Sequence, residues 1–134
     1  MPAGQIYDPL RRKDVALTPE ERVRQWFISV LRDNLGVPQH QMMSEVELKF
    51  AGKTYRADLI VYGRKGLRKA IVECKRAEVQ LTSEVLEQAM RYNMVLDVDF
   101  LIITNGLSVY AFHKAENGWK QLEQLPTYEQ ICNE

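Results

Sequence analysis

The sequence predicts an α/β domain with the element order helix, three strands, helix, strands. Three observations carry this. A capped apolar stripe with the helical period of about 3.6 residues lies within 19–35. Short runs of alternating or β-branched residues follow at 44–50, 54–62 and 69–76. A second capped stripe, from 83 to about 96, then leads into the continuous apolar run 99–104. At 134 residues the chain reads as one domain, 1–134, large enough to bury a core without disulfides or structural metal. Its 46% apolar and 27% charged residues are ordinary for a soluble globular protein.

Residues 1–17 show no period and read as an irregular N-terminal arm, with a turn at Asp8-Pro9 and a basic segment at Arg11, Arg12 and Lys13. Thr18 is an N-cap, Pro19 suits the first helical position, and Glu21 is spaced to complete a capping box. Val23, Trp26, Phe27, Val30 and Leu31 form one stripe, which assigns Trp26 and Phe27 to the core. Gly36 fits a C-terminal cap, Pro38 prevents continuation, and 38–43 has room for one helical turn. In the first strand Val46, Leu48 and Phe50 should face inward. A turn at Ala51-Gly52-Lys53 leads to the second strand. Thr82 or Ser83 caps the second helix, whose stripe is Leu81, Val85, Ala89 and Tyr92. Gln88 falls inside that stripe, either as a rim residue or as a buried amide that needs a partner. The run 99–104 reads as a strand covered on both faces. Asn105-Gly106 turns into its partner strand at 107–112, 119–122 is an edge strand, and 126–134 is a polar tail.

Residues 58–75 concentrate the chemistry. Two strands flank a loop bounded by Gly63 and Gly66. If Tyr62 pairs with Lys69, Asp58 falls opposite Glu73, with Cβ atoms roughly 4.5–5.5 Å apart. Glu73 and Lys75 then share one strand face, and Cys74 points the other way. Charge is also concentrated here. Residues 49–76 hold 9 of the 18 Lys and Arg, while their only acids are Asp58 and Glu73. This local surplus suits a phosphate-binding surface, although a solvated lysine-rich loop explains it too. The rest of the chain excludes several classes. Cys74 and Cys132 make no disulfide framework or zinc site, and His40 and His113 have no metal-ligand context. No apolar run is long enough to span a bilayer, and the N-terminus has no basic-then-apolar secretory pattern. The default location is therefore a reducing cytoplasm.

Ala57-Asp58, fourteen residues, then Glu73-Cys74-Lys75 resembles the signature of the PD-(D/E)xK nuclease superfamily, with alanine in place of the proline. The segments Thr-Pro-Glu-Glu-Arg-Val-Arg-Gln25, Arg-Ala-Asp-Leu-Ile-Val-Tyr62, Val-Glu-Cys-Lys75, Gln-Ala-Met-Arg-Tyr92 and Ile-Thr-Asn-Gly106 extend the likeness. They resemble the N-terminal nuclease domain of type I restriction enzyme R subunits, in its short stand-alone bacterial form. The resemblance implies a restriction-endonuclease-like core, a central mixed β-sheet flanked by helices, and metal-dependent hydrolysis of phosphodiester bonds. Asp58 and Glu73 would hold Mg²⁺, with Mn²⁺ as its substitute, and Lys75 would act on the attacking water and the phosphate. Glu21, with Glu20 as the second choice, matches a helix acid near a second metal, although capping alone would explain Glu21. Gln88 and Tyr92 match side chains that contact the site, and Arg56 would support nucleic-acid binding. The implied partner is nucleic acid, DNA in the first place, with a partner subunit or homodimer compatible and no membrane. No motor or target-recognition domain accompanies the likeness. The alternative is a catalytically silent nucleic-acid-binding or assembly module with the same fold.

Overall fold

The computed structural model describes residues 4–133, so residues 1–3 of the expected arm and residue 134 of the expected tail lie outside the described residues. The remainder of the arm is ordered as a hairpin. Strands β1 (Gln5–Asp8) and β2 (Lys13–Ala16) pair antiparallel. Four-residue strands are too short to display a period, so sequence pattern passes over them. The turn is anchored by the fully buried Asp8, whose carboxylate accepts from the Leu10 N–H at 2.8 Å, the Arg11 guanidinium and the Ser44 hydroxyl at 3.2 Å.

Helix α1 (Pro19–Ser29) opens as expected, with the Thr18 hydroxyl accepting from the Glu21 N–H at 3.1 Å. The capping box is not completed. The Thr18 N–H goes to the Ala16 carbonyl, and the Glu21 carboxylate turns inward to other partners. The helix continues through a π-wound segment, Val30–Asn34, in which the Leu35 N–H reaches the Val30 carbonyl at 3.1 Å. Gly36, at φ +76°, ends it, and the Val37 N–H returns to the Leu31 carbonyl. A short 3₁₀ turn, Gln39–Gln41, precedes the sheet.

Six strands follow in the spatial order of the chain: β3 (Met42–Phe50), β4 (Lys53–Tyr62), β5 (Arg68–Cys74), β6 (Phe100–Thr104), β7 (Val109–Ala115) and β8 (Gly118–Leu122). All neighbours are antiparallel except β5 and β6, which run parallel and are joined through helix α2 (Ser83–Asn93). A parallel pair needs such a crossover, and this helix occupies it. Thr82 is its N-cap, accepting from the Val85 N–H. The β4–β5 register is the expected one from Leu59↔Val72 to Val61↔Ala70. Tyr62 pairs with Arg68 instead of Lys69, because a bulge at Val61/Tyr62 absorbs one residue beside the loop.

Helices cover both faces. Val23, Phe27 and Ile28 of α1 and Leu31 of the π-wound segment pack with Tyr128 and Ile131 on Leu59, Val72 and Ile102. Ala89 of α2 packs on Ile60, Ile71, Leu101 and Ile103 of the opposite face. β6 is buried throughout, as its continuous apolar run predicts. Three expectations are corrected. Residues 126–134 are not simply a polar tail: α3 (Tyr128–Cys132) carries a Thr127–Gln130 capping box and buries Tyr128 and Ile131. Trp26 is 42% exposed while Phe27 is fully buried, since adjacent helix positions diverge by about 100°. Phe50 is 49% exposed, paired with Lys53 at the tip of the two-residue Ala51-Gly52 turn.

Candidate functional site

The site forms where β3 and β4 change faces. Tyr55 and Ala57 belong to the α2-side core, whereas Leu59 and Val61 belong to the α1-side core. Unbroken alternation would keep these odd-numbered residues on one face, so the strand switches at Asp58. β3 switches alongside it, from Met42 on the α1 side to Leu48 on the α2 side. Pairs Ser44↔Leu59 and Val46↔Ala57 bracket Glu45 opposite Asp58, and Glu45 has φ +54°. That conformation costs a β-carbon residue roughly 1–3 kcal/mol and persists only where the surroundings hold it. Arg24 at 2.8 Å and Arg56 at 3.1 Å grip the Glu45 carboxylate.

Asp58 is clamped from two sides. One oxygen accepts from the Cys74 N–H at 2.7 Å, and the other lies 3.4 Å from Arg24 Nη2. The β4–β5 pairing ends at Leu59↔Val72, and the Asp58 carboxylate then reaches the Cys74 N–H of β5, the residue after Glu73. Lys75 Nζ lies 3.6 Å from Glu73 Oε2, and the Lys75 N–H stays bound to the Thr104 carbonyl. Asp58, Glu73 and Lys75 line one cleft of ≈ 580 Å³, with Gln88 and Tyr92 of α2 on its wall and Arg56 and Arg76 at its rim. Burial pushes the Asp58 carboxyl above the usual carboxylate range; the Cys74 N–H and Arg24 oppose the shift, and Glu45 and Glu20 add to it. Burial likewise raises Glu73, against the Lys75 ammonium, and the Asp58 charge adds to the rise. The cleft therefore holds two carboxylates whose charge the protein leaves under-compensated.

The other expected residues divide. Gln88 is exposed on the helix rim and needs no buried partner. The Tyr92 hydroxyl accepts from the Arg56 N–H at 3.2 Å, and its ring packs 4.9 Å from Tyr55. Glu21 is not brought to the cleft. It is 6% exposed and accepts from Arg11 at 2.7 Å, Arg24 at 3.0 Å and Gln25 at 3.0 Å, while Glu20 lines the cleft. The basic surplus is also dispersed. Arg64, Lys65, Arg68 and Lys69 cluster at the loop end of the β4–β5 hairpin, four residues or about 13 Å of strand from Asp58. Arg56, Lys75 and Arg76 alone of the nine reach the cleft lining, with Lys53 above the Tyr92 ring.

Sequence reasoning missed Arg24, Glu45 and Asn93. Arg24 is 4% exposed, and Asn93, 1% exposed in α2, donates to the Ala89 carbonyl at 2.8 Å while its amide lowers the Glu73 carboxyl against the burial that raises it. Arg24 stands one turn after Glu21, which was the available signal, but its burial depends on a β3 contact that no local pattern encodes. Among the described residues, no group of three or more His, Cys, Asp or Glu converges as a metal cage.

A mixed sheet with a parallel central pair, helices on both faces and an acidic cleft at the strand switch defines a restriction-endonuclease-like α/β core. The family model for the type I restriction enzyme R protein N terminus (HSDR_N) matches residues 19–126, and the chain belongs to that family. The fold is shared with the fragment structure of a putative HsdR subunit of a type I restriction enzyme from Vibrio vulnificus YJ016. That match has 20% identity and a TM-score of 0.62, covering 86% of this chain and 24% of that one. This chain thus spans about a quarter of that relative's length. No curated protein matches. No helix among the described residues is long and apolar enough to cross a membrane.

Proposed function

We propose that this chain is a metal-dependent nuclease domain of the PD-(D/E)xK type, hydrolysing phosphodiester bonds in DNA, with Asp58, Glu73 and Lys75 as its centre. The observation that supports it is the pair Asp58 and Glu73 in one basic-rimmed cleft beside Lys75, both raised by burial, with the Asp58 charge adding to the rise of Glu73. A hard divalent cation fits this donor set. Mg²⁺ is commonly held by one or two carboxylates, with waters and substrate phosphate completing its shell. Asp58 and Glu73 would hold Mg²⁺, or Mn²⁺ in its place, and the ion would neutralise phosphate charge and acidify bound water. Of the two helix acids, Glu20 rather than Glu21 would approach it, because the Glu21 oxygens are already occupied by Arg11, Arg24 and Gln25.

The remaining roles follow from the side chains themselves. Lys75 can hydrogen-bond the attacking water and offset charge building on the phosphate, as a compact cation beside the acids. The Cys74 N–H fixes Asp58, and the Asn93 amide of α2 favours the charged form of Glu73. Arg56 and Arg76 suit neighbouring phosphates, contacts that position a strand without reading its sequence. Gln88 and Tyr92 form the wall against which the nucleic acid would rest. One observation favours the rival, a catalytically silent nucleic-acid-binding or assembly module: Arg24 already neutralises part of Asp58.

Calorimetry with Mg²⁺ and Mn²⁺, followed by cleavage of single- and double-stranded DNA, separates the two. Metal binding lost in Asp58→Ala and Glu73→Ala, with cleavage abolished also in Lys75→Ala, is the expected result. Wild-type protein that binds neither cation would sink the nuclease proposal. Salt-sensitive DNA binding without metal or cleavage would support the silent module.

A further inference from the structure

The family match begins at residue 19, yet the hairpin before it is tied to the candidate site by buried charges. The chain of contacts alternates in sign without a gap. Asp8, fully buried in the hairpin turn, holds the Arg11 guanidinium. Arg11 Nη2 donates to Glu21 Oε1 at 2.7 Å, and Arg24 Nη1 donates to the same oxygen at 3.0 Å. Arg24 Nη2 then reaches Glu45 at 2.8 Å and Asp58 at 3.4 Å. Arg24 Nε is buried with no hydrogen-bond partner among the described residues, so the terminal nitrogens alone hold the guanidinium. A planar guanidinium held by two carboxylates has its direction set, which a flexible ammonium would not.

We propose that Arg24 is a positioning residue for the Asp58 carboxylate, and that the N-terminal hairpin, through Asp8, Arg11 and Glu21, holds Arg24 in the conformation that does so. The hairpin is then part of the site although it contributes no group to the cleft. Glu21, expected beside a metal, acts here as the shared anion between two arginines. The functional meaning of the proposal rests on Asp58 serving as a metal-holding carboxylate, but its geometric core does not.

The test uses the full chain and two readouts. The first is the amide resonance of Cys74, whose N–H donates to Asp58 Oδ2 at 2.7 Å and so reports the carboxylate's orientation without any metal. In Arg24→Met and in Arg11→Gln this resonance moves toward its position in Asp58→Ala. The second is Mn²⁺ affinity by calorimetry, expected to weaken about tenfold in Arg11→Gln, the scale of loss when an orienting partner is removed. Arg11 pairs with Asp8 and Glu21 and not with Asp58, and losing its positive charge would by Coulomb's law favour a cation. A weakening is therefore an effect of position. If Arg24→Met does not fold, Arg11→Gln, whose side chain is 23% exposed, carries both measurements. A Cys74 resonance unmoved in the folded variants overturns the proposal, and a moved resonance with unchanged Mn²⁺ affinity overturns its link to function. Wild-type protein that binds no Mn²⁺ removes the nuclease reading instead, and the Cys74 resonance then decides the positioning by itself.

Discussion

Glu73→Gln should make the metal-free protein more stable. Asp58 and Glu73 line the same cleft, and the Asp58 charge raises the Glu73 carboxyl. Two like charges at the roughly 5 Å typical of neighbouring strand side chains repel by about 3 kcal/mol at an effective dielectric of about 20. Their side chains are 25% and 21% exposed, so solvent reduces this figure. Lys75, 38% exposed and 3.6 Å from Glu73, offsets less than about 1 kcal/mol. A net gain of about 1 kcal/mol remains for the neutral amide. In a domain of this size that is roughly 3–5 °C in Tm. The pH dependence has a definite sign. Burial, aided by Asp58, raises the Glu73 carboxyl, so the folded chain keeps a proton that the unfolded chain releases. This contribution is fully present below the unfolded carboxyl's range and is lost as pH rises through the raised folded one. Thermal unfolding in chelator across that range should show wild type losing more stability with pH than Glu73→Gln. Saturating Mn²⁺ should then stabilise wild type selectively and close the gap. A Glu73→Gln protein less stable than wild type in chelator at neutral pH would refute the electrostatic reasoning.

Two further predictions concern the ends of the fold and its thiols. Ile131→Ala should cost about 2–5 kcal/mol in urea unfolding, because Ile131 is fully buried in the α1-side core; a change below about 0.5 kcal/mol would return the segment to a solvated tail. A thiol reagent should modify Cys132 before Cys74 in the native protein. Cys74 is 3% exposed and burial pushes its thiol up, whereas Cys132 is partly accessible. Equal rates under native conditions would contradict the burial of β5.

Local pattern determined a large share of this fold. Thr18-Pro19 set the start of α1, the apolar run at 100–104 set a strand buried on both faces, and Thr82 set the start of α2. The β-branched runs around Gly63 and Gly66 marked the β4–β5 hairpin and its register from Leu59↔Val72 to Val61↔Ala70, which brings Asp58 and Glu73 to one end of the pair. Composition also located the basic surplus, but the hairpin's length carried much of it to the end away from Asp58. Tertiary contact decided the rest. The hairpin at 5–16 exists around a buried Asp8, and α3 exists because Tyr128 and Ile131 find the α1-side core. Glu21 satisfied a local capping pattern, yet its carboxylate binds two arginines, because burying a charge demands opposite charge and hydrogen bonds from whatever lies near in space. Arg24 meets Glu45 and Asp58 only after β3 and β4 switch faces together. Periodicity reports which side of an element is apolar; which distant charges meet on its polar side is settled by packing.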